Sequence, residues 1–331
     1  MKKLLIAALA CLATAGTWAS TRSGIAAPQF LKPGDKIAVI SPGSTPGAVN
    51  LDKGVDVLRQ WGFNPVKGRH VTDAYHLWAG TKEDREADLL WALRDPAVKA
   101  IMCSRGGYGS SQLLYDLPID TIKKYNKWII GYSDITALHS AQVRAGHMSL
   151  HANMCGHLGE TGGTDSLSLV LRDLLLGKVP SYKVKGHPYN NPGKARGILV
   201  GGNLSVMVNI SGSKTYDFLD RDFIADKDII LFFEDVGENI SRVSSMLYQL
   251  KLKGAIDHVK GIIVGHFTDY EPSAGYADMY QMLHEFLQDC DIPVCYDFPT
   301  SHDERLNYPL IEGCPVELNV GKSEVKLKFK L

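Results

Sequence analysis

The chain has 331 residues, 45% of them hydrophobic, and its 36 basic and 36 acidic side chains cancel to a formal net charge of zero. That length supplies enough apolar surface for one large or two ordinary domains. The balanced charge leaves no electrostatic footprint for nucleic acid or another polyanion.

Met1-Lys2-Lys3, the apolar run Leu4 to Ala15 and then Thr17-Trp18-Ala19 read as a secretory signal peptide over residues 1–19. A short basic region, an apolar stretch and a small residue before cleavage follow in that order. The run falls well short of the roughly 20 residues of a membrane anchor, and no later run is long and apolar enough to be one. An exported protein, periplasmic or at the cell surface, without stable membrane insertion is expected. Cys11 lies in the middle of the run and Ala8 lacks the bulky aliphatic character that lipidation at Cys11 would need. The remaining cysteines are Cys103, Cys155, Cys290, Cys295 and Cys314. An odd number cannot pair completely within one chain, and the spacings match no zinc site. Cys290 and Cys295 would form a local bridge in an oxidising compartment; buried free thiols are the preferred reading.

Leu31 to Asp35 reads as a turn, Lys36 to Ser41 as a buried strand ended by Pro42-Gly43-Ser44, and Val55 to Trp61 as a helix stopped by Gly62. Phe63 to Val66 suggests a strand, Glu83 to Arg94 an amphipathic helix with Leu89, Leu90 and Leu93 on one face, and Ala100 to Cys103 a short strand. Strands alternating with helices predict a parallel α/β sheet. Ser104-Arg105-Gly106-Gly107-Tyr108-Gly109 joins that last strand to a helix from Ser110. The loop lacks both phosphate-binding glycine patterns. It reads either as a tight turn or as a place where a substrate carbonyl approaches the backbone.

Residues 127–139 carry the main chemical signal. Lys127 to Ile130 ends a strand, Gly131 punctuates it, and a helix begins at Asp134 with Ile135, Leu138 and Val143 in helical register. Ser133 therefore stands at a sharp strand-to-helix turn, with its hydroxyl at the carboxyl edge of a sheet and free N–H groups after it. The plainer alternative is a serine that only caps the helix. Ile135 occupies the position where the hydrolase elbow pattern has its second glycine.

Residues 159–195, rich in Gly, Ser, Thr, Asn and Pro around one helix (167–176), resemble a domain connection. Gly197 to Ser205 then opens a second apolar pattern. Strands are expected at 229–233, 259–265 and 294–298, helices at 241–250 and 277–287, and antiparallel strands after Val316. Glu234 and His302 follow two of these strands. A hydroxyl needs a base, and an imidazole base needs a carboxylate to fix its tautomer, so Ser133, His302 and Glu234 would together suit acyl transfer.

The chain resembles the LD-carboxypeptidase family of serine peptidases, which includes microcin-C immunity peptidases. The resemblance rests on Pro33-Gly34-Asp35-Lys36-Ile37 with Ser41-Pro42, Ala79-Gly80-Thr81 with Arg85, and the Ser104 to Gly109 loop. It continues through Gly131 to Thr136, Gly201-Gly202-Asn203-Leu204, Glu234 to Glu238, His302, Asn307 and Pro309-Leu310. It implies an amino-terminal α/β domain with a flavodoxin-like parallel sheet (30–165), a linker region (166–195) and a mixed β/α domain (196–331), with the site where the domains meet. It implies Ser133 as nucleophile, His302 as base and Glu234 as its partner. The oxyanion hole would come from the Asp134 N–H and an N–H of Gly106 or Gly107. It further implies a homodimer, no metal or other cofactor, and a murein tetrapeptide substrate whose terminal D-alanine is released. The free carboxylate of such a peptide makes Arg105 a candidate clamp. Two departures stand near the site: Arg242-Val243-Ser244-Ser245 replaces the usual Arg-x-Asp-Arg, and Ser301 replaces a glycine before His302. The apparent signal peptide is a third departure, since well-known recycling members act in the cytoplasm. A peptidase or amidase acting on an antibiotic conjugate, or an exported peptide-binding protein, are the competing readings.

Overall fold

The computed structural model describes residues 24–272 and 275–331; the signal-peptide reading of residues 1–19 lies outside them. Strands β1 (Lys36–Ile40), β2 (Asn64–Lys67), β3 (Val98–Cys103), β4 (Trp128–Gly131) and β5 (Ser149–His151) occupy the first half. Then come β6 (Ser181–Lys185), β7 (Gly193–Asn203), β8 (Ile229–Val236), β9 (Gly261–Thr268), β10 (Val294–Cys295), β11 (Leu310–Glu312), β12 (Pro315–Val320) and β13 (Glu324–Phe329).

β1 reads as an unbroken apolar run because both its faces are covered. Ile37 and Val39 pack with Leu51, Val55 and Leu58 of helix Ala48–Gln60, while Ala38 and Ile40 pack with Leu89 and Leu93 of helix Lys82–Arg94. The two-residue period of the strand thus feeds two cores. The first sheet has the order β2-β1-β3-β4-β5-β11, parallel from β2 to β5. The first five strands have the flavodoxin-like order. The chain reverses its direction of travel across the sheet between β1 and β3, so the loops after these strands diverge and leave a crevice at their carboxyl ends.

The second sheet has the order β10-β9-β8-β7-β12-β13-β6. β7 to β10 are parallel, while β12 and β13 are antiparallel as their alternation predicts. Two connections run across the expected halves. β11 returns from the second half to pair antiparallel with β5, Leu310 opposite His151. Segment 166–195 contains helix Ser166–Leu175, which buries Leu171, Leu174 and Leu175, and β6, which pairs with β13 at the sheet edge. The region read as a linker therefore contributes to the packed structure. The strand expected at 294–298 is confined to Val294–Cys295.

The two sheets meet behind the turn at Ser133. Gly202, at the end of β7, has φ +129°, and a Cβ there would lie 2.4 Å from Thr136 Oγ1. The next residue's N–H, that of Asn203, donates to the same hydroxyl at 3.0 Å. All five described cysteines are free thiols, Cys290 and Cys295 included.

Candidate active site

Ser133 lies two residues beyond β4 with φ +63°, a left-handed backbone that a serine seldom adopts. Such a conformation costs on the order of 1–3 kcal/mol and persists only where surrounding structure enforces it. Residues Ser133–Ile135 form a 3-10 turn before helix Thr136–Arg144, so the helix expected from Asp134 starts two residues later. The position before the turn belongs to Tyr132, with no side-chain cap. The Ser133 hydroxyl faces His302 instead.

Glu234 lies within β8 rather than after it. The pairing of β8 with β9 shifts register between Phe233 and Asp235, an irregularity of the kind that re-aims a side chain. The Glu234 side chain is fully buried, and its Oε2 lies 2.5 Å from His302 Nδ1. A carboxylate accepts, so Nδ1 carries the hydrogen and Nε2 presents a lone pair. That nitrogen is 2.9 Å from Ser133 Oγ, which donates to it. Burial alone would lower the His302 pKa; the adjoining Glu234 carboxylate, with Asp235 and Glu304 further off, outweighs burial and holds it above 6.5. Tyr132 backs the imidazole edge-on, its ring centroid 5.2 Å away, and its hydroxyl donates to Glu304 Oε1 at 3.0 Å.

The glycine loop is held from beneath. Arg85 is buried, and its Nη1 donates to the carbonyls of Pro42 and Gly109 at 2.8 and 3.0 Å while Nη2 reaches Gln112 Oε1 at 2.7 Å. The Asp134 carboxylate accepts from the Ser110 N–H at 2.8 Å and so ties the Ser133 turn to the same loop. Burial is the larger influence on Asp134 and raises its pKa.

Two hollows adjoin Ser133. One, of about 350 Å³, is lined by Arg105, Gly106, Gly107, His157, His302 and Glu304 among others. The second, of about 160 Å³, is lined by Gly107, Tyr108, Asp134, Asn203 and Asp235 among others. Arg105 is exposed at the rim, with Nη1 3.4 Å from the Thr45 carbonyl. The structure thus brings Ser133, Glu234 and His302 into one chain of hydrogen bonds and sets Asp134, Gly106, Gly107 and Arg105 around it.

Several supporting residues carried no signal in the local pattern. Asn203 Nδ2 donates to Asp235 Oδ1 at 2.9 Å behind Glu234. His151 and Asn153 contact Asn307 at 3.2 and 3.0 Å, bracing the His302 loop. Their partners are about 150 residues away, and only the motif pieces Asn203 and Asn307 marked them.

Fold and site together define a class: a serine-type peptidase built on two α/β sheets. Residues 37–152 match the LD-carboxypeptidase N-terminal domain and residues 196–318 the LD-carboxypeptidase C-terminal domain. The chain belongs to the LD-carboxypeptidase family and is a serine-type carboxypeptidase. It is 30% identical to the murein tetrapeptide carboxypeptidase of Pseudomonas aeruginosa over 81% of this chain and 88% of that protein. It is 30% identical to the microcin C7 self-immunity protein of Escherichia coli over 86% and 91%. The crystal structure of muramoyltetrapeptide carboxypeptidase from Oxalobacter formigenes superposes with a TM-score of 0.79 at 27% identity, covering 89% of this chain and 99% of that one.

Proposed function

We propose that the protein hydrolyses the L,D peptide bond that releases terminal D-alanine from murein tetrapeptides, acting outside the cytoplasm as a homodimer. The observation that carries this reading is the unbroken series Ser133 Oγ, His302 Nε2, His302 Nδ1, Glu234 Oε2, with separations of 2.9 and 2.5 Å. Ser133 Oγ attacks the carbonyl carbon as its proton passes to His302 Nε2. Glu234 holds the imidazole in the accepting tautomer and balances the charge it gains. The N–H groups of Asp134 and of the Gly106–Gly107 turn receive the oxyanion. His302 then returns the proton to the leaving D-alanine nitrogen. The acyl group stays on Ser133 until water, giving its proton to His302, attacks the acyl carbon and Ser133 Oγ departs with that proton from His302. Arg105 meets the terminal carboxylate.

Incubating the purified mature protein with a defined murein tetrapeptide and reading products by mass spectrometry tests this reading. D-alanine release that Ser133→Ala abolishes is expected. Folded protein that leaves several tetrapeptides intact would overturn the substrate assignment. The likeness to a microcin self-immunity protein supports one further reading, hydrolysis of a peptide-antibiotic conjugate by the same groups, and such a conjugate belongs in the same assay. Sedimentation of the mature protein tests the dimer, and fractionation of cells expressing the full chain tests export.

A further inference from the structure

Behind the Ser133 turn, His139, His151 and Glu312 come from helix Thr136–Arg144, β5 and β11. All three are fully buried, and one nitrogen of each imidazole and a Glu312 oxygen lie within 4.8 Å of one another. The proposed mechanism uses none of them. Both Glu312 oxygens and His151 Nδ1 are buried without a hydrogen-bond partner. Two histidines and a glutamate suggest a cation site, but His139 Nε2 lies 2.9 Å from the Gly131 carbonyl. A carbonyl only accepts, so that nitrogen carries a hydrogen and offers no lone pair to a metal.

The remaining hydrogens follow from the fixed acceptors. The Glu304 carbonyl requires Asn153 Nδ2 as donor at 2.8 Å, which leaves Asn153 Oδ1 to accept. Asn307 Nδ2 donates to that oxygen at 3.0 Å, so Asn307 Oδ1 accepts in turn. It accepts from the Ser301 N–H at 3.4 Å and from His151 Nε2 at 3.2 Å, and His151 Nε2 therefore carries a hydrogen. In a neutral ring Nδ1 is then a bare lone pair. His139 has spent its hydrogen on Gly131. The Ser149 hydroxyl lies 2.6 Å from its Nδ1 and 3.0 Å from the Ile129 carbonyl, and beside a neutral ring the single hydroxyl hydrogen is shared between these two acceptors. An ionised Glu312 would find only the Gly201 N–H, outside hydrogen-bond geometry, and the His139 Nε2–H, 4.0 Å from its Oε1 and already given to Gly131, beside the His151 lone pair. That is too little for a fully buried carboxylate.

We propose that Glu312 is a neutral carboxylic acid in the folded protein, that its hydrogen serves His151 Nδ1, and that His151 is thereby a positioning residue for His302. With Nδ1 supplied from Glu312, the Nε2–H is held on the other side of the ring, where it grips Asn307 and with it the Ser301–Asn307 loop that bears His302. Burial acts in the same sense on all three groups: it raises the Glu312 pKa well above 4.5 against a weaker pull from the Gly201 N–H, lowers His139 to about 4, and lowers His151 well below 6.5. The elements packed around the pocket contribute the Gly131 carbonyl, Ser149, the Gly201 N–H, the Phe232 ring 5.2 Å from His151, the Thr300 hydroxyl, which shares the His151 Nε2–H at 3.2 Å, and the charge of His302.

The positioning half rests on His302 being the base; the protonation half does not. Three proteins decide both: wild type, Glu312→Gln and Glu312→Leu. The infrared difference spectrum of wild type minus Glu312→Gln at neutral pH should contain the C=O stretch of a protonated carboxyl. Carboxylate bands in its place would overturn the neutral acid, whatever the enzyme's substrate. On tetrapeptide, Glu312→Leu, which keeps the bulk and removes the donor, should lower kcat by about 10- to 100-fold with KM unchanged. Glu312→Gln, whose amide still donates, should restore it. A folded Glu312→Leu with wild-type kcat would overturn the positioning role. Above pH 4.5 the unfolded chain loses the Glu312 proton that the folded one keeps, so raising pH destabilises wild type. The Tm advantage of Glu312→Gln should therefore widen as pH rises, and a margin that stays constant would again overturn the neutral acid.

Discussion

Gly106 passes Ser133 at contact distance: a methyl on its α-carbon would lie 2.9 Å from Ser133 Cβ and 3.0 Å from Oγ. The loop backbone is therefore the wall against which the hydroxyl and any bound carbonyl are pressed. Gly106→Ala should push loop and turn apart and misdirect the N–H groups assigned to the oxyanion. Loss of one such donor lowers kcat by about 10²- to 10³-fold. Steady-state kinetics should show that fall in kcat, with near-UV circular dichroism unchanged.

The His302 pKa gives the pH profile its sign. The base works when neutral, and Glu234 holds its pKa above 6.5 against the effect of burial. A plot of kcat/KM against pH should therefore rise through an acid limb whose midpoint lies above 6.5. Glu234→Gln removes the charge that raises this pKa, so the limb should move to lower pH while kcat falls by about 10³- to 10⁴-fold.

Arg85 acts at a distance from Ser133, by tying the loops after β1 and β3 together. Arg85→Met keeps much of the side-chain bulk but strands the buried Pro42 and Gly109 carbonyls, at a cost of about 2–4 kcal/mol. Urea denaturation should register that loss. The glycine loop should loosen as well, so kcat should fall even at temperatures where the variant is fully folded.

Arg105 should affect binding more than chemistry, because a terminal carboxylate has the same charge in the ground and transition states. Arg105→Ala should raise KM for the tetrapeptide by about tenfold or more with little change in kcat. A tetrapeptide ending in an amide should show no such difference between wild type and variant.

The local pattern of this chain determined a good deal. Strand β1, helix Lys82–Arg94 and the turn at Ser133 are each written within a dozen or so residues, because periodicity, capping residues and glycines act over that range. Thr81 illustrates the point: it caps helix Lys82–Arg94 in a capping box completed by Asp84 three residues on. Glu234 and His302 stood out less by their surroundings than by the ordered motif pieces around them. What only the tertiary structure decided involves residues far apart in the chain. The left-handed Ser133 is backed by Gly106 of the loop after β3, the shift that aims Glu234 comes from how β8 pairs with β9, and β11 leaves its neighbours to join β5. None of these leaves a periodic trace, since a strand's partner and register depend on which other strands compete for its edge. The protonation of Glu312 lies furthest from the sequence. It follows from a hydrogen-bond sequence running through Asn153 and Asn307 to His151, and such a sequence exists only once all of its acceptors are in place.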